Sequence, residues 1–257
     1  MPHAHSSELS ASTADESPPH EVEERTLNYP PNSNTVLVAG FSVLYESEDR
    51  PHSVCKVPFP WPNYERALEI EKRVFKCLGA HPNVVKMVGT DEHGIWLERA
   101  AYGCLRLFNM EGREAMPQER LQWCEDVARV LDYVHGKGRI LLCDFGGSAI
   151  DGEGATICGE AGYRRPSKDE YTGPTIRCEI HSLGSTMYEI ITGKEPHHGL
   201  EKEAVEKLLE QRQYPDVSDV PLGDVIQRCW EGAFVSAALA AEEIARRRVA
   251  VEDAQPL

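Results

Sequence analysis

The sequence predicts a two-lobed α+β protein, with a small antiparallel β lobe carrying one helix and a larger, mainly α-helical lobe behind it. Two observations carry that prediction. Short β-branched runs are confined to the chain before about Glu98, and apolar residues at three- and four-residue steps dominate after Gly103. Size agrees: 257 residues and 28.7 kDa suit one large domain or two small lobes.

From Met1 to about Pro31 the chain is rich in Ser, Pro, His and Glu and nearly free of large apolar residues. Such a stretch cannot offset its ordering entropy, so 1–33 reads as a disordered tail, with order beginning near Thr35. Val36–Val38, Val43–Tyr45 and Ser53–Val57, separated by Gly40 and by Asp49-Arg50-Pro51, read as successive antiparallel strands. The period changes over Tyr64–Leu78, where Ala67, Ile70, Val74, Phe75 and Leu78 mark one face of a helix closed by Gly79. Strands at Val84–Gly89 and Ile95–Glu98 complete a first lobe at 34–97. The second lobe, 98–250, carries helices at Gln118–His135, Ile180–Ile191, Glu201–Gln211, Leu222–Trp230 and Ser236–Arg247, and 251–257 reads as a short tail. There is no internal repeat.

Lys and Arg number 27 against 42 Asp and Glu, a net charge of −15. A surface that acidic repels phosphate backbones and anionic lipid, so neither nucleic acid nor membrane is an expected partner. No apolar run approaches the ~20 residues of a membrane span, and the first residues lack the basic start and apolar stretch of a secretory signal. The expected location is cytoplasmic or nuclear. The 8 cysteines are scattered without a Cys-x-x-Cys couple, which argues for reduced, mostly buried thiols rather than zinc or disulfides. His197-His198 is a pair of neighbours with diverging side chains and no metal-site spacing.

The strongest local signal is Asp144-Phe145-Gly146 after the strand-like Ile140–Cys143. A carboxylate at a strand end, before a flexible glycine, is well placed to hold Mg²⁺ on a nucleotide. Alone the tripeptide says little; its order among other pieces makes it specific. Val54-Cys55-Lys56 puts a lysine on a strand, Glu71 follows in mid-helix, and then come His81-Pro82-Asn83, Leu97-Glu98 and Asp144-Phe145-Gly146. That order resembles the eukaryotic protein kinases, from about Val36 to Arg247. The resemblance is greatest to fungal-type serine/threonine kinases, on Cys143–Ser148, Tyr163–Pro166, Ser182–Ser185, Tyr188–Lys194 and Cys229-Trp230.

The resemblance implies a role for each matching residue. Lys56, Glu71 and Asp144 form the catalytic set: Lys56 pairs with the α- and β-phosphates of ATP, Glu71 holds Lys56, and Asp144 binds Mg²⁺. Leu97 backs the adenine pocket, Glu98 and Ala100 offer backbone groups to the base, and Gly40 belongs to the loop over the phosphates. The bland alternatives are a solvated strand lysine and one charge on a helix face.

The departures decide function. Protein kinases place a catalytic loop between the long helix and the metal motif; its Asp takes the substrate proton and its Asn holds a second metal. Here His135-Gly136-Lys137-Gly138 runs straight into Arg139–Asp144, and no asparagine follows Asn109. A second register is open, in which Cys143–Gly146 is a degenerate catalytic loop and the metal motif is lost; Gly147-Ser148 favours the first. The phosphate loop keeps one glycine, in Ala39-Gly40-Phe41-Ser42, Glu179 stands where the family has the Asp that anchors the catalytic loop, and Pro166-Ser167 replaces a Pro-Glu. The expected function is a pseudokinase that binds a protein partner and binds ATP and Mg²⁺ weakly or not at all. The alternatives are an active serine/threonine kinase acting on a protein substrate, whose sequence here lacks a loop segment, and a damaged copy. The missing strands are also expected to leave Val134, Leu142 and Leu183 exposed along a seam between lobes.

Overall fold

Residues 25–137, 140–141, 149–150, 160–166 and 175–253 are described by a computed structural model, and structural statements below concern those residues. Five strands form one antiparallel sheet: β1 (Ser33–Val38), β2 (Ser42–Ser47), β3 (Ser53–Pro58), β4 (Met87–Thr90) and β5 (Ile95–Glu98), in the order β1-β2-β3-β5-β4. Strand alternation separates two faces. Val43, Tyr45, Cys55, Val57 and Trp96 form an outer cluster; Val54, Ile95 and Leu97 face inward against Leu68 and Phe75. Those last two belong to α1 (Pro62–Leu78), which starts on Pro62 and ends where the Gly79 N–H bonds the Phe75 carbonyl with a positive φ.

Two details differ from the sequence reading. Among the described residues, contacts already precede Thr35: Leu27 packs on the outer cluster, Tyr29 stacks on Tyr45 at 5.2 Å, and the Asn28 side chain donates to the Glu92 carbonyl at 2.8 Å. A few anchors suffice where a preformed apolar face is waiting. The fourth strand starts at Met87, not Val84, because Val84 turns inward, its N–H bonding the His81 carbonyl and its side chain packing beneath α1.

The second lobe is helical: α2 (Leu105–Met110), α3 (Pro117–Gly136), α4 (Ile176–Thr192), α5 (Lys202–Glu210), α6 (Gly223–Glu231) and α7 (Ala237–Asp253). Two short strands, β6 (Ile140–Leu141) and β7 (Ala149–Ile150), pair antiparallel. The core joins α3, α4, α6 and α7 through Leu121, Ile180, Leu183, Met187, Ile226, Trp230 and Ile244. At the α4–α6 crossing only a glycine fits: a Cβ on Gly184 would lie 2.8 Å from the Cys229 Cβ. The α7 helix runs to Asp253, into the tail expected at 251–257; its Arg247 and Arg248 reach Asp224 at 2.7 Å and Glu125 at 2.8 Å.

The expected open seam is closed in the described part. Val134 is wholly buried among Ile70, Val74 and Leu78 of α1, and Leu183 is buried in the helical core; Leu142 lies outside the described residues. The ends of α1 and α3 pack directly, and the Tyr133 hydroxyl donates to the Leu78 carbonyl. Cys55, Cys124 and Cys229 are buried, and Cys77 and Cys104 are exposed. Burial pushes the Cys55 and Cys229 thiols up to about 12 and raises Cys124 as well. Among the described residues no helix is long and apolar enough to cross a membrane, and no cluster of His, Cys, Asp and Glu is set to hold a metal.

Candidate functional site between the lobes

Lys56 faces inward from β3, opposite Leu44 of β2 and Ile95 of β5. Its ammonium lies 2.7 Å from Glu71 Oε2 on α1, with side chains 13% and 3% exposed. A pair this shielded is held by charge-assisted hydrogen bonding rather than by weak surface attraction. Strand and helix are fixed independently, the strand by its ladder and α1 by Leu68 and Phe75, so the pair is positioned by both elements. Gly94 lets β5 approach: a Cβ there would meet the Lys56 carbonyl oxygen at 2.1 Å.

The remaining expected residues lie as follows. Leu97 is buried beside Val54 on the inner face. Glu98 and Ala100 are exposed at the strand's exit, with the Glu98 N–H bonded to the Lys86 carbonyl and the Ala100 carbonyl accepting from Gly103. Gly40 sits at the hairpin tip in open space without a left-handed backbone, so the tip makes no steric demand for glycine. Asp144 lies outside the described residues, as does the rest of Cys143–Ser148.

Sequence reasoning counted glycines at that tip and missed its aromatic residue. Ala39 N–H donates to the Ser42 carbonyl at 2.8 Å and Phe59 N–H to the Phe41 carbonyl at 3.0 Å, which folds the tip down. Phe41 is only 6% exposed, its ring centroid 4.7 Å from Lys56 Nζ and 6.5 Å from the Tyr64 ring on α1. Lys56 and Glu71 fit the polar anchor of a nucleotide site. The ground beside the ammonium, where phosphate oxygens would need to come, holds a phenyl ring.

Glu179 has a definite job beneath the cleft. His135 Nε2, at the end of α3, lies 2.6 Å from Glu179 Oε2 on α4, with Glu179 buried and His135 nearly so. Burial raises the Glu179 carboxyl above the ordinary range, opposed by the His135 hydrogen bond. The segment 160–166 is pinned alongside. Tyr163 bonds Glu189 through its hydroxyl, Arg106 spans Glu160 at 3.1 Å and Glu189 at 3.2 Å, and Ser182 Oγ donates to the Tyr163 carbonyl at 2.8 Å. The sequence signals for this cluster were the Tyr163–Pro166, Ser182–Ser185 and Tyr188–Lys194 motifs; Arg106 and Glu160 carried none.

No family model matches the chain. Curated relatives do. The chain is 24% identical over 201 residues to the serine/threonine-protein kinase mos of Patiria pectinifera, covering 63% of this chain and 57% of that protein. It is 32% identical over 149 residues to calmodulin-binding receptor-like cytoplasmic kinase 1 of Arabidopsis thaliana (45% and 32%), and 29% identical over 182 residues to mitogen-activated protein kinase kinase kinase 2 of the same plant (59% and 28%). The matched part thus spans between about a quarter and three fifths of these relatives' own lengths. A five-stranded sheet with one packed helix, a helical second lobe, an inter-element Lys56–Glu71 pair and kinase relatives at modest identity lead to one conclusion: the chain is similar to the protein kinase superfamily in sequence and in its two-lobed fold.

Proposed function

We propose that the chain is a protein kinase-like module that works by binding a protein partner, retains part of a nucleotide site, and carries out little or no phosphoryl transfer. One observation carries this reading. The α3 helix ends at Gly136 and Asp144 follows only eight positions later, too short a stretch for a catalytic-loop Asp and Asn ahead of the metal motif, while Lys56 and Glu71 remain paired. In kinases the loop Asp accepts the hydroxyl proton and the Asn holds a second metal. Of the roles that remain, Lys56 would orient phosphates and Asp144 would hold Mg²⁺; no Asp lies between Gly136 and Asp144 to take the proton.

Protein kinases turn over at roughly 1–100 s⁻¹, and losing general-base help costs about 10²–10⁴. The purified chain is expected to transfer ³²P to generic peptides at about 10⁻² s⁻¹ or slower. Mg²⁺-dependent transfer at ordinary kinase rates, abolished by Asp144→Ala, would overturn the proposal.

A second reading is favoured by one feature: kinase-like sequence runs up to Gly138 and resumes at Arg139 with an abrupt junction. On that reading the functional protein is an active serine/threonine kinase with additional loop residues at this junction. Sequencing the transcript across those two codons separates the readings.

A further inference from the structure

We infer that Phe41 sets which ligands the cleft accepts: with its ring seated beside Lys56, the cleft takes an uncharged, nucleoside-like heterocycle in preference to a nucleoside triphosphate. The inference rests on the nucleotide-site reading above and adds the selectivity of that site.

Three observations meet at this residue. The β1–β2 tip is bonded to itself through Ala39 and Ser42 and to Phe59, the residue after β3, so it is a folded turn with two tethers. Phe41 is buried at 6% exposure although it stands at a loop tip, because Tyr64 of α1 receives its ring. The Lys56 ammonium, already 2.7 Å from Glu71, lies 4.7 Å from the centre of that ring.

The chemistry of this arrangement is selective. The face of a phenyl ring carries the negative end of its quadrupole, which attracts an ammonium and repels a phosphate. A phosphate oxygen needs to come within about 2.7–2.9 Å of Lys56 Nζ to gain a charge-assisted bond, and the ring stands on one approach while Glu71 takes another. The Ala39 N–H, a backbone donor at the tip, is spent on Ser42. The inner wall further from the tip is apolar: Val54 and Leu97 are buried against Leu68 and Phe75, and the half-buried Leu44 is the side chain there that a flat heterocycle could touch. Triphosphate binding therefore requires the tip to open first, and its apparent affinity falls by the fraction of molecules that are open. A heterocycle without phosphates has no such requirement.

The test uses the full chain and calorimetric titration with adenosine, ATP and inorganic tripolyphosphate against wild type, Phe41→Ala and Phe41→Leu. Wild type is expected to bind adenosine at least as tightly as ATP. In Phe41→Ala, ATP and tripolyphosphate should tighten roughly tenfold or more while adenosine stays within about twofold. Phe41→Leu keeps the bulk and should still discriminate against ATP, which preserves the test if the alanine variant fails to fold. Wild-type protein that binds ATP tenfold tighter than adenosine, or a Phe41→Ala chain with an unchanged ratio of the two affinities, would overturn the inference while leaving the nucleotide site standing. Folded variants that bind none of the three probes would remove the nucleotide-site reading and this inference with it.

Discussion

His181 shows how much one side chain constrains. It lies fully buried near the start of α4, its Nδ1 donating to the Tyr163 carbonyl at 3.3 Å, and its Nε2 has no partner among the described residues. The Tyr214 ring lies tilted 5.7 Å from it, and Arg165 adds positive charge from the pinned segment. Burial, the largest influence, pushes its pKa down to about 4 from an ordinary 6.5, and Arg165 pushes the same way. The folded value is depressed, so the unfolded chain gains a proton first as pH falls. The stabilising contribution of neutral His181 is present above pH 6.5 and is lost progressively between about 6.5 and 4, reaching roughly 2 kcal/mol by about pH 5. Glu179, whose pKa is raised, acts in the opposite sense, since its burial cost diminishes as it takes up a proton. Urea unfolding at pH 7.5 and pH 5 should show the His181 loss in wild type and a flatter profile in His181→Phe; equal pH dependence in both would refute the assignment.

Among elements, the α4–α6 crossing is the least forgiving. A Cβ on Gly184 would lie 2.8 Å from the Cys229 Cβ and 3.2 Å from both the Ile226 carbonyl oxygen and the Trp230 ring, while Trp230 Nε1 donates to Ser185 Oγ at 3.0 Å one residue on. Gly184→Ala is expected to push the helices apart and cost about 1–3 kcal/mol, visible as a lower denaturant midpoint, despite alanine's better helix propensity. This crossing also marks what the sequence discloses and what it hides. The sheet strands, α1 and the apolar helices were legible because one period of side chains faces one core, and Lys56 and Glu71 were legible from their order along the chain. The short α2 was not: none of its residues is buried, and its Arg106 is held by Glu160 and Glu189, 54 and 83 positions away. Phe41 was hidden for a related reason. Its burial depends on Tyr64 arriving from another element, which no local pattern encodes.

On the scale of the whole molecule, the junction of α1 with α3 ties the sheet lobe to the helical lobe through Ile70, Val74, Leu78 and Val134. That shared cluster turns thiol chemistry into a clock for the fold. Cys55 lies within the sheet and Cys124 and Cys229 within the helices, all three buried and protonated at neutral pH, whereas Cys77 and Cys104 are open to reagent. Only a thiolate attacks an alkylating agent at a useful rate, so the buried three are silent until their surroundings open. With the lobes joined, iodoacetamide followed by peptide mass spectrometry should label Cys77 and Cys104 first and then release Cys55, Cys124 and Cys229 with one common rate constant. A Cys55 that reacts well ahead of the other two would mean that the sheet lobe opens alone, and Val134→Ala, which thins the cluster they share, is the substitution expected to bring that separation about.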